Sequence, residues 1–81
     1  EVAHTLNLIG MRVEDALPLL KRFIDNAHVN GLGSVEVIHG VGTGRLARAV
    51  RDYLKGCPDV NVFRFADQAQ GGAGVTVVEM K

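Results

Sequence analysis

The stretch SVEVIHGVGTGRLARAVRDYLK, residues 34–55, decides the fold. Ser34 to His39 is a short β-branched run that alternates with polar residues, as a strand does. Three spaced glycines follow at once: Gly40, Gly42 and Gly44. Leu46, Ala47, Ala49, Val50, Tyr53 and Leu54 then fall on one arc of a helix, and Lys55, Gly56 and Pro58 mark its end. The stretch reads strand, glycine turn, helix.

Upstream, Ala3 to Leu8 alternates loosely as a short strand, and Gly10 breaks it. Val13, Ala16, Leu17, Leu20, Phe23, Ile24 and Ala27 recur at helical spacing, with Glu14 and Asp15 placed to complement the dipole of the first turn. Pro18 lies inside this helix, where it removes a backbone hydrogen bond and is expected to kink it. Gly31 or Gly33 ends the helix. Downstream, Val60 to Phe65 and Val75 to Met80 are two more strands, joined by the polar, glycine-rich loop from Asp67 to Gly74. A strand–helix–strand start favours parallel pairing with a right-handed crossover. The fold class is therefore α/β: a two-layer sandwich ordered strand-helix-strand-helix-strand-strand, with both helices on one face of a mixed four-stranded sheet. The other face is expected to be partly open to a partner.

Eighty-one residues make one domain. A chain that is 47% hydrophobic and 22% charged is not disordered, and nine basic side chains against nine acidic ones exclude a strongly basic nucleic-acid binder. One cysteine, Cys57, cannot build a disulfide scaffold or a cysteine-rich zinc module, and it suits a reducing, cytoplasmic setting. No apolar run approaches the roughly 18 residues of a membrane span, so no membrane is expected as a partner. The chain starts at Glu1 rather than Met, and the expectation is one domain, 1–81, excised from a longer protein.

The chemistry concentrates in HGVGTGR, residues 39–45. Glycines ahead of a helix let backbone N–H groups approach an anion, and the helix dipole favours phosphate there. The same glycines also suit a tight turn with no ligand. The spacing is neither the dinucleotide motif nor a nucleotide P-loop. His39 has a side chain suited to acid–base work near neutral pH, or to bracing the glycine turn by hydrogen bonds. Arg45, Arg48, Arg51 and Lys55 share the polar arc of the second helix, a solvated face or a contact for nucleic-acid backbone, with Arg45 and Arg48 nearest the glycines. Tyr53 and the three phenylalanines fall mostly on apolar faces, which leaves no aromatic platform for single strands.

Four motifs in order, LNLIG (6–10), HGVGTGRL (39–46), CPDVNVFRFA (57–66) and GGAGVTVV (71–78), resemble the Smr (small MutS-related) domain over nearly the whole chain. The motif variant, with HGVGTGRL, FRFA and GGAGVT, resembles that of the C-terminal domain of the second bacterial MutS paralogue. The resemblance implies a fold like the C-terminal domain of bacterial translation initiation factor three. It also implies nicking endonuclease activity on DNA, with RNA cleavage in some members. Full-length relatives add a dimeric MutS-like ATPase, and they are tied to suppression of recombination and rescue of collided ribosomes. DNA, RNA or the ribosome are thus the implied partners, beside an ATPase domain and a dimer mate in the parent protein.

Carried over by motif, His39 is the catalytic candidate. Gly40, Gly42, Thr43, Gly44, Arg45, Arg48, Gly71, Gly72 and Gly74 are the candidates for phosphate contact, supported by Asn7 and Gly10 of the first motif. Asn7 stands where the family usually has aspartate, Ile9 where arginine or histidine is common, and Val41 where many relatives carry lysine. An amide cannot serve as a carboxylate base or an anionic metal ligand. Mg²⁺ or Mn²⁺ could assist cleavage, but no carboxylate cluster supplies ligands and no metal site is assigned. The leading reading is a nucleic-acid-binding endonuclease domain of a DNA-repair protein. The alternatives are a non-catalytic DNA-, RNA- or ribosome-binding module, favoured by the three replacements, and a protein-interaction domain that uses the open sheet face.

Overall fold

The computed structural model describes residues 2–81. The elements are β1 (Thr5–Asn7), α1 (Val13–Val29), β2 (Ser34–Ile38), α2 (Arg45–Lys55), β3 (Val60–Phe65) and β4 (Val75–Met80). The first strand is shorter than its alternation suggests. The loop before β4 is not featureless, because it holds two 3₁₀ turns, Gln68–Gln70 and Gly72–Gly74.

The sheet runs β1-β2-β4-β3. β1 lies parallel to β2, with Leu6 opposite Val37, while β2 and β3 both pair antiparallel to β4. The architecture is the expected mixed four-stranded sheet, and β4 takes a central position although it comes last in the chain.

Why α1 forms and stops is visible in its residues. Ala16, Leu20, Phe23, Ile24 and Ala27 are its buried positions, spaced to make one stripe. At the C-terminus Gly31 N–H donates to the His28 carbonyl (3.1 Å) and Leu32 N–H to the Ala27 carbonyl (3.0 Å). This pair of reversed bonds needs a left-handed residue, and Gly31 supplies it at φ +67°. Pro18 sits on the exposed side, and the helix runs unbroken through it for 17 residues.

Both helices pack on one sheet face. Leu20 and Ile24 of α1 and Val50 and Leu54 of α2 share a single core with Leu8, Val35, Val37 and Val78. The opposite face is less open than the sequence suggests. Val75 and Val77 of β4 are buried there, in a small cluster with Ala66 and Ile38, because a central strand is flanked on both sides by neighbours. Val62 is the only large exposed hydrophobic on that face among the described residues, so the face carries no broad apolar patch. No described helix is long and apolar enough to cross a membrane.

Leu20→Ala removes a fully buried side chain. It is expected to cost about 2–5 kcal/mol and to lower the thermal midpoint by more than about 10 °C. Leu19→Ala, one residue along on the outer side of α1, is expected to cost well under half of that. Thermal melts followed by circular dichroism check the pair, and equal losses would misplace the buried stripe.

Candidate functional site

The site begins where β2 ends. The backbone N–H groups of His39 and Gly40 both donate to the Gly74 carbonyl, at 3.0 and 2.9 Å, which ties the glycine turn to the start of β4. Gly44 N–H then closes on the Val41 carbonyl at 2.9 Å. Gly44 is the N-cap of α2 in a left-handed conformation (φ +83°), and it has no side chain to cap the helix. Thr43 Oγ1 lies 3.4 Å from Arg45 N, a long contact. The N–H groups of Gly42, Thr43 and Leu46 find no acceptor among the described residues. Donors left free at a helix N-terminus face outward with the positive end of the dipole behind them.

His39 is buried, 5% exposed, and both ring nitrogens are engaged. Nδ1 lies 2.9 Å from the Gly40 carbonyl, an oxygen that can only accept, so Nδ1 carries a proton. Nε2 lies 2.8 Å from Thr76 Oγ1. In the neutral ring Nε2 then accepts from the threonine hydroxyl. Thr76, on β4, is fully buried, so the ring braces the turn against the sheet from below.

Above that ring lies a cleft of about 420 Å³. One wall is the glycine turn: Val41, Gly42, Thr43, Gly44 and Arg45. The other is the segment from Gly10 to Glu14, which leads into α1. Arg12 is the N-cap residue of α1, and its side chain makes no capping bond. Two helices thus present their N-termini to one cavity. Arg12 and Arg45 line it against a single carboxylate, Glu14. The field in such a cleft favours an anion.

The cleft brings together His39, Gly42, Thr43, Gly44, Arg45 and Gly10 from the sequence candidates. Arg48 stands just outside, in a groove shared with Thr43, Gly44 and Arg45. Gly40, Gly71, Gly72 and Gly74 are not in the cleft wall. Gly74 instead contributes the carbonyl that anchors the turn, and Gly40 the carbonyl that holds His39. Asn7 is a brace as well: its Oδ1 accepts from Ile9 N–H at 3.0 Å and closes the turn after β1. Arg12 and Glu14 are not among the sequence candidates, because they pass for the ordinary opening of a helix. The signal was the parallel between Gly10 followed by Arg12 and Gly44 followed by Arg45. Glu14 is the one carboxylate in the cleft, and no three His, Cys, Asp or Glu side chains come together among the described residues. The residues present do not form a site for a resident Mg²⁺ or Mn²⁺ ion.

The sequence profile of the Smr domain matches residues 6–81. The chain is 42% identical over 81 residues to Endonuclease MutS2 of Clostridium botulinum (strain 657 / Type Ba4), and 44% identical over 80 residues to that of Bacillus mycoides. These alignments take in 100% and 99% of this chain but only 10% of each relative, so the chain spans about a tenth of the length of the curated relatives it matches. The crystal structure of the Smr domain of Thermus thermophilus MutS2 superposes with a TM-score of 0.94 at 34% identity, covering 98% of this chain and 99% of that one. YdaL, a stand-alone small MutS-related protein from Escherichia coli, gives 0.83 at 32% identity, covering 96% of this chain and 64% of its own. A profile match that runs to the last residue, joined to superposition over nearly all of a solved Smr domain, fixes the membership: the chain belongs to the Smr domain family.

Proposed function

We propose that the chain is a nucleic-acid-binding, nicking endonuclease domain that serves a MutS-family protein in the cytoplasm. The observation that carries this reading is the meeting of two helix N-termini, with Arg12 and Arg45, at one cleft. A backbone phosphate is the ligand of matching charge and size. Free N–H groups of Gly42, Thr43 and Leu46 would hold its oxygens, and would stabilise the extra negative charge that builds as the phosphorus is attacked. Arg48, one turn further along α2, would hold the next stretch of backbone. The relatives' name, Endonuclease MutS2, supports the same reading. In a parent chain the ATPase and a dimer mate would bring the domain to DNA, or to RNA on the ribosome.

His39 is the acid–base candidate. Its Nδ1–H bond to Gly40 leaves the Nε2 lone pair for Thr76. A substrate group that displaces the threonine hydroxyl would take up that lone pair. A second reading, binding without cleavage, is favoured by the engagement of both ring nitrogens and by the burial of the ring.

Two experiments separate these roles. His39→Ala is expected to abolish cleavage of supercoiled plasmid and single-stranded RNA while salt-sensitive binding persists. Thr76→Val removes the hydroxyl at little change in volume. It is expected to lower stability by about 1–3 kcal/mol yet to keep cleavage. Equal loss of cleavage in both variants would make the ring a brace rather than a base. Arg12→Glu combined with Arg45→Glu is expected to weaken binding to every sequence by more than about tenfold, and to flatten the salt dependence by about one unit of slope per lost contact. Fluorescence anisotropy across a salt series measures both; unchanged affinity would remove the cleft from the interface.

A further inference from the structure

A second concavity, of about 310 Å³, lies between α2 and the end of β3. Arg48, Arg51, Asp52, Lys55 and Phe65 wall it, and Gly44 is common to this concavity and the cleft. Three cations face one carboxylate. Phe65 sits at the end of an edge strand and is 39% exposed, outside both apolar clusters. The Arg51 guanidinium lies 4.5 Å from the centroid of its ring and 5.8 Å from that of Phe63. The His39 ring lies beside Phe65, with centroids 6.2 Å apart and planes inclined by 64°. The ring is therefore in contact with both Arg51 and His39 without being part of the core.

We infer that this concavity is a nucleobase-stacking subsite, which takes an unpaired base of the strand whose phosphate lies in the cleft. The inference rests on the nucleic-acid reading of the cleft and narrows it to a substrate class. Aromatic faces and arginine planes are the two protein surfaces on which bases stack; the Arg51 guanidinium already lies over one face of Phe65, and an unpaired base would extend the stack that these two begin. The surrounding cations hold the backbone that carries the base, and Asp52 is an acceptor for an N–H of the base edge, such as N3–H of thymine. A paired base has both faces covered by its neighbours, so this subsite selects single-stranded or locally opened nucleic acid over intact duplex.

Binding of oligo(dT), of an abasic oligonucleotide of equal length and of an intact duplex to wild type, Phe65→Leu and Phe65→Trp tests the subsite. Phe65→Leu is expected to weaken oligo(dT) binding about tenfold, with abasic and duplex binding unchanged. Phe65→Trp keeps a ring at the position and gives the chain its only tryptophan. Its fluorescence is expected to be quenched by oligo(dT) and not by the abasic strand. Should Phe65→Leu bind oligo(dT) as wild type does, with no quenching in Phe65→Trp, the subsite is wrong and the phosphate cleft stands. Equal weakening towards oligo(dT) and the abasic strand overturns it too, because the concavity then contacts backbone only. If wild type binds none of the three, both readings fall. If Phe65→Leu does not fold, quenching in Phe65→Trp decides.

Discussion

Everything around the cleft depends on one carbonyl oxygen. Gly74, at the threshold of β4, accepts from two successive N–H groups, those of His39 and Gly40. This oxygen ties the turn after β2 to the sheet. The donors of the turn are put to different uses: those of His39 and Gly40 are spent on Gly74 and that of Gly44 on Val41, while those of Gly42, Thr43 and Leu46 stay available. The histidine ring adds a second tie to the same strand through Thr76, two residues beyond Gly74. Each of these bonds lies on buried or partly buried groups, where losing a partner costs more than making the bond gains.

This arrangement separates what supports the site from what faces a ligand. The six glycines of the two motifs carry the same expectation in the sequence, and the structure gives them different tasks. Gly42 and Gly44 shape the cleft wall, whereas Gly40 and Gly74 act through their carbonyls, and Gly72 is buried within the second 3₁₀ turn. A motif with many glycines records a close approach of two backbones as well as an approach to an anion. Only the hydrogen-bond partners tell one use from the other.

The element order was legible because glycines and periodicity change together at each boundary, as at Gly31 and Gly44. The strand order was less so. β4 opens VTVV, three β-branched apolar residues with only Thr76 between them, and this is the mark of a strand covered on both faces. β3, with Asn61 and Arg64 between its apolar residues, reads as an edge. The burial of His39 had no local sign, since its partner Thr76 is 37 positions away. The sequence places the phenylalanines mostly on apolar faces, yet Phe65 lies outside both apolar clusters. Phe63 and Phe65 both point to the helical side, but α2 covers Phe65 with Arg51 instead of an apolar side chain.

Both margins of the sheet are blunted. β1 offers only three residues, and β3 carries a register shift between Val60 and Val62 where Asn61 leaves the ladder. A straight edge is a template for another strand, and neither edge here is long and regular enough to recruit one. A small domain with no net charge has little electrostatic repulsion to keep its copies apart in a concentrated solution. In this chain that task falls to backbone shape: the irregular margins deny a second copy the unbroken row of donors and acceptors from which fibres grow.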